Sequence, residues 1–169
     1  PKEPELRREV EELEELFDAR LGADTRNWVY FYRSGDRNTM RRAWCNITPV
    51  LERIGFEIAF PFISSKVRQL YTITADSAAA ALQGIQEIFE IVDRRLARGK
   101  TYLVGDTISA TDITFAALVA PVLLPPEHPI SVSKIAELPI EMAAVIKELQ
   151  STAAGLYALR LYREQRQVQ

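Results

Sequence analysis

Apolar residues along this chain recur at helical spacings. Leu6, Val10, Leu13, Leu16, Phe17 and Leu21 lie three or four apart with glutamates between them, the pattern of an amphipathic helix with an acidic outer face, and Gly22 reads as its C-terminal stop. A second helical stretch, Thr25 to Tyr32, carries Trp28, Tyr30, Phe31 and Tyr32 and ends at the turn signal Ser34-Gly35-Asp36. Arg37 to Gly55 reads as helix again, kinked or divided by Pro49. Phe56 to Ile63 is apolar and contains Pro61; it fits a short buried strand, and better a buried helical segment or loop beside so many helices.

The most regular stripe is Ala78, Leu82, Ile85, Phe89, Val92 and Leu96, ended by Gly99, which predicts a central strut. A helix from Ala110 onward is hydrophobic nearly all round and therefore expected to be buried, with Pro121 bending or ending it. Pro125-Pro126-Glu127-His128-Pro129 reads as a rigid surface loop. Pro139 suits the first turn of a helix running to about Ala153, and Leu156 to Arg166 forms a last short helix. No segment alternates apolar and polar residues long enough for a strand, and no repeat or linker divides the chain, so an all-α helical bundle in a single domain, 1–169, is predicted.

Composition narrows the chemistry. The 169 residues are 47% hydrophobic and 26% charged, globular values, and the net charge of −2 offers no footprint for nucleic acid or an anionic membrane. The longest apolar run, Ile113 to Leu124 broken by Thr114, is too short for a membrane span. With one His and one Cys, an internal disulfide and the common Cys/His zinc clusters are excluded; no metal site is expected, and a reducing, cytoplasmic setting fits. The opening Pro-Lys-Glu-Pro, without an initiator Met or an apolar leader, suggests a processed chain or an excised domain.

Few residues point to chemistry. Ile108-Ser109-Ala110-Thr111-Asp112-Ile113 has the form of a capping box: Ser109 accepts from the Asp112 amide, Asp112 returns to the Ser109 amide, and Ile108 staples onto Ile113. A catalytic Ser/Asp reading lacks a nearby His and a nucleophile elbow. His128 sits between proline-rich neighbours with no nucleophile placed beside it, and Cys45 follows Trp44 as a small buried hydrophobe would. Arg33, Arg37, Arg41 and Arg42 with Tyr32 and Trp44 suggest an RNA-contacting patch, but Ser34-Gly35-Asp36 interrupts the helix that would align them; a solvated or subunit-facing surface fits better. Trp28, Phe31 and Tyr32 serve either as core or as the lining of an apolar pocket.

The run Gly99-Lys100-Thr101-Tyr102-Leu103-Val104-Gly105-Asp106-Thr107-Ile108-Ser109-Ala110-Thr111-Asp112-Ile113-Thr114-Phe115 resembles the C-terminal all-helical domain of the glutathione transferase superfamily, in which a Tyr-Leu-x-Gly-Asp segment precedes a Ser/Thr-x-x-Asp box opening a buried central helix. Phe17 to Gly22, Ser77 to Arg98 and Leu159 to Arg163 resemble it as well. The resemblance implies a partner thioredoxin-like N-terminal domain, absent from these 169 residues, that binds glutathione and carries the catalytic residue, so none is assigned here and the chain alone is expected to be inactive. It further implies a hydrophobic co-substrate pocket for a small-molecule electrophile, with Trp28, Phe31, Tyr32 and Phe115 at matching places, and contacts for a homodimer. Glutathione is then a co-substrate of the parent, and this chain needs no cofactor. The alternative is a non-catalytic protein-interaction or assembly module with the same fold.

Overall fold

The computed structural model describes residues 3–36, 50–97, 99–129 and 134–165. Helices α1 (Pro4–Leu16) and α2 (Gly22–Arg33) are joined through a π-helical turn, Phe17–Leu21; then follow α3 (Val50–Leu70), α4 (Ala75–Leu96), α5 (Ala110–Leu123), a 3-10 turn at Ile135–Glu137, α6 (Ile140–Ser151) and α7 (Ala153–Gln165). No strand occurs among the described residues, and the all-α architecture holds. The expected helix from Arg37 lies outside the described residues up to 49, as does its kink at Pro49.

Gly22 does not stop the first helix. Its backbone is helical, and its N–H donates to the Phe17 carbonyl five residues back. The reason lies in the spacing of Leu13, Phe17, Leu21 and Thr25, all buried. Three successive steps of four residues would carry the buried stripe about 120° around a regular α-helix, and one wider π turn takes up much of that drift. The continuous helical run from α1 to α2 therefore keeps one face on the core from Val10 to Val29.

Two prolines fail to break their helices. α3 runs through Pro61, so the Phe56 to Ile63 segment is helical, and α5 continues past Pro121 to Leu123, where Leu124 adopts a left-handed conformation (φ 50°) and its N–H bonds the Ala120 carbonyl. Pro121 stands in the last turn, so one missing donor there interrupts little of the ladder. Gly99 follows α4 with φ 73°, a conformation that favours glycine.

The centre of the bundle is α5 rather than the expected strut. α5 packs against α1, α2, the π turn, α6 and α7, whereas α4 lies to one side against α2, the π turn and α7. α5 is apolar nearly all round and most of its circumference is covered, yet Ile113, Ala117 and Pro121, four residues apart, form an exposed stripe, so it is not buried on every face as expected; the single stripe of α4 needs covering only once. Phe115 and Val119 on α5 meet Leu13, Phe17, Trp28, Ile85, Phe89, Ile146 and Tyr157 in one core cluster. Residues 125–129 are outside the helices but only partly at the surface: Pro125 is buried, Glu127 and His128 are half-buried, the His128 N–H bonds the Pro125 carbonyl, and its ring lies 5.8 Å from that of Tyr162.

Candidate functional site

Three groups of side chains deserve comparison: the aromatic cluster on α2, the carboxylate at the start of α5, and a cleft between α2 and α4.

The aromatics follow from the sequence Asn27-Trp28-Val29-Tyr30-Phe31-Tyr32. Positions 28 and 32 are one turn apart, and their rings meet edge to face at 5.4 Å; Phe31 and Tyr32 meet at 5.0 Å. Trp28 is buried, and Phe31 and Tyr32 are half-buried. Phe115, the fourth expected pocket residue, is fully buried among Phe17, Phe89 and Tyr157, with ring centroids 5.4, 5.8 and 6.5 Å away. The structure thus brings Trp28, Phe31 and Tyr32 together and places Phe115 in the core, where a ligand has no access to it.

Asp112 is also fully buried. Its Oδ2 accepts from the Ser109 N–H at 2.7 Å and from the Ser109 hydroxyl at 2.8 Å. Its Oδ1 accepts from the Leu103 N–H at 2.9 Å and, through a short bond, from the Tyr157 hydroxyl of α7. Ile108 packs on the core but Ile113 is 59% exposed, so the staple between them adds little cover to the cap. Four donors on one carboxylate tie together the 100–109 link, α5 and α7, and they leave no lone pair aimed at a substrate. Burial, and then the bond to Asp112, push the Tyr157 phenol well above its usual range. Sequence reasoning found Ser109 and Asp112 but missed Tyr157, for which only an isolated tyrosine in a helix signals the contact.

The cleft has a volume of about 430 Å3 and lies where the π turn and α2 pass α4. Ala19, Ala23, Ala80 and Ala81 form its small-residue walls; Arg20, Asp24, Asn27, Ser77, Gln83 and Glu87 supply polar atoms. Neither the aromatic residues nor Phe115 line it. Arg20 donates to Glu87 Oε2 at 2.6 Å, and Gln83 donates to Glu87 Oε1 at 3.2 Å, which holds the Glu87 carboxyl below its ordinary range. Asp24 differs: burial pushes its carboxyl up, Arg20 opposes the rise, and the Glu87 charge adds to it. The sequence signal that was available for this cleft is Gly84, a glycine in the middle of a 22-residue helix. No group of three or more His, Cys, Asp or Glu positioned for a metal occurs among the described residues. No described helix is long and apolar enough to cross a membrane.

Residues 49–130 match the family model for the glutathione S-transferase C-terminal domain, a stretch that takes in α3, α4, α5 and the capping sequence. No curated protein and no solved structure matches the chain significantly.

Proposed function

From the premise that this chain carries a glutathione S-transferase C-terminal domain, we propose that it supplies the apolar co-substrate wall, and part of a homodimer interface, to a cytoplasmic glutathione-conjugating parent. The thiol-activating groups then belong to a thioredoxin-like partner domain, and this chain holds the hydrophobic electrophile beside the glutathione thiolate, a contribution of proximity. The observation that carries this reading is the α2 cluster. Phe31 and Tyr32 keep part of their rings at the surface while Trp28 seals the space beneath them. Such a wall offers apolar area with few rotatable bonds, which suits a flat or greasy electrophile. Phe115 supports the core in this scheme rather than touching the ligand.

Half a pocket binds weakly. Titration of the chain with an apolar fluorophore is expected to quench tryptophan emission with an affinity of roughly micromolar to millimolar, about −8 to −4 kcal/mol. Phe31→Ala and Tyr32→Ala should each weaken it several-fold, and Trp28→Phe should identify which tryptophan reports. The chain alone should not conjugate glutathione. Conjugation by the isolated chain, abolished by Cys45→Ala or His128→Ala, would overturn this division of labour.

A second reading, an assembly module without catalysis, draws on α3. Phe62 and Leu70 are 69% and 75% exposed there, beside the 38% exposed Tyr71, an apolar surface suited to a protein contact. Sedimentation of the chain with Phe62→Glu and Leu70→Glu, read beside the fluorophore titration, separates the two. Both readings include association, so the fluorophore decides: loss of association in these variants, with no saturable fluorophore binding by the native chain, favours the module.

A further inference from the structure

The cleft between α2 and α4 holds a carboxylate, Asp24, that no described residue hydrogen-bonds. Gly84 stands at the middle of α4, where glycine disfavours a helix relative to alanine. A Cβ at that position would lie 2.1 Å from Asp24 Oδ2 and 3.0 Å from its Cγ. The glycine therefore opens a notch that the Asp24 carboxylate fills. Yet Asp24 makes no hydrogen bond or ion pair with any described residue, because the Arg20 guanidinium is turned to Glu87 at 2.6 Å. The helix is notched for a negative group that no described residue hydrogen-bonds and whose charge is met by solvent and by the field of Arg20, so its oxygens stay open to a cationic ligand entering the cleft.

The lining specifies what. Arg20, Asp24 and Glu87 sum to one net negative charge, which excludes an anion. The Glu87 charge is met by the Arg20 guanidinium, so Asp24 is the one carboxylate without an ion-pair partner, too few for a divalent metal. Two neutral acceptors stand on the same walls. Asn27 donates its Nδ2 to the Tyr71 carbonyl, and its Oδ1 accepts from the Ser77 hydroxyl at 3.1 Å, which leaves that oxygen one further lone pair; Gln83 donates its Nε2 to Glu87, which leaves its Oε1. One charged and two neutral acceptors on the lining equal in number the three N–H donors of an ammonium head, and the four alanines give a short alkyl chain an apolar wall. The volume of about 430 Å3 lies within the range of small-ligand pockets.

We propose that this cleft is a binding site for a primary alkylammonium ligand, with Asp24 as its counter-ion, Asn27 and Gln83 as its neutral acceptors, and Gly84 as the residue that makes room for Asp24. The site is separate from the aromatic wall on α2 and does not depend on the reading of that wall. A raised Asp24 carboxyl agrees with a group waiting for a cation, since a bound ammonium would restore the stability of its charged form.

The test is calorimetric titration of the chain at neutral pH with n-butylammonium chloride, with 1-butanol as the uncharged counterpart. Saturable one-site binding near a millimolar is expected for the amine, at least tenfold weaker binding for the alcohol, and a loss of about tenfold or more in Asp24→Asn. Gly84→Ala, which favours helix yet displaces the carboxylate, should lose affinity by a similar factor with its helical circular dichroism intact. Asp18→Asn, one charge removed outside the cleft, should bind as the native chain does. Non-saturable amine binding, equal binding of the alcohol, unchanged affinity in Asp24→Asn, or an equal loss in Asp18→Asn would each overturn the proposal.

Discussion

Asp112 and Asp24 are both aspartates at helix crossings, and their surroundings oppose each other. Asp112 at the start of α5 is wholly out of water and receives bonds from the Ser109 amide and hydroxyl, the Leu103 amide and the Tyr157 hydroxyl. Asp24, on α2, is half-buried against Gly84 and receives none from a described residue; burial raises its carboxyl instead. The first is a fastener, because a carboxylate saturated with donors gains nothing from a ligand and loses much if disturbed. The second takes no hydrogen bond from a described residue and has its charge met chiefly by solvent, which leaves it open to a ligand.

The sharpest way to break this comparison is to remove each carboxylate in turn. Asp112→Ala orphans two backbone amides and two hydroxyls in or near the core, and should cost about 3–5 kcal/mol, more than the roughly 1–2 kcal/mol of a cap alone. A denaturant midpoint that falls accordingly, with the slope unchanged, checks this; a loss below about 1 kcal/mol would show that the four bonds are not worth their geometry.

Tyr157→Phe removes one of those donors and keeps the ring that packs on Phe115. About 1–2 kcal/mol is expected. Its pH signature is more telling. The native phenol is raised above the ordinary value of 10.0, so the unfolded chain ionises first; the contribution is complete below about pH 10 and declines as pH rises beyond it. Tyr157→Phe should flatten that alkaline decline, a difference that stability curves at pH 9 and 11 would resolve.

Legibility in the sequence tracks how local each interaction is. The cap at Ser109 and Asp112 spans three residues, and its pattern could be read directly; the Tyr157 donor stands 45 residues away and could not. The amphipathic period gave α4 correctly, and the nearly all-apolar period of α5 announced the burial of most of its faces though not of the Ile113, Ala117 and Pro121 stripe; ranking α4 as the central element overlooked that a helix apolar nearly all round draws more neighbours than a single-striped one. Gly22 looked like a stop because glycine commonly is one, while the four-residue spacing of Leu13, Phe17, Leu21 and Thr25 was the sign that the helix continued through a π turn. The capping box of α4, formed by Thr74 and Ser77, was also visible in principle and starts that helix two residues before Ser77. The Asp24 cleft depends on two helices meeting, so only Gly84 hinted at it.

Gly84→Ala bears on the second carboxylate by a smaller effect. The atom in the way is the end of a flexible side chain, so Asp24 can swing into water while α4 gains alanine's helix propensity, and a net stabilisation of up to about 1 kcal/mol is expected. The Asp24 carboxyl should then return toward its ordinary value of 3.8, measurable by nuclear magnetic resonance titration of its carboxyl carbon. A large destabilisation would mean that Asp24 is needed where it sits for the fold itself.

Asp24→Asn should change stability least, and its sign distinguishes the two carboxylates. The folded-state carboxyl is raised above 3.8, so protons bind the native chain more tightly than the unfolded one; the associated stability is complete below that value and is lost as pH climbs through the folded-state titration. At neutral pH the ionised Asp24 is therefore a small liability, and the amide, which keeps the shape without the charge, removes it. Because the group is largely reached by solvent, screening limits the gain to a few tenths of a kcal/mol. At about pH 3 the native chain is protonated there in any case, and the difference should shrink. Thermal denaturation of the two proteins at pH 7 and pH 3 reads this directly: Asp24→Asn slightly more stable at the higher pH and nearly equal at the lower. The opposite order at pH 7 would mean that Asp24 has found a donor in the folded chain, and the contrast with Asp112 would become one of degree.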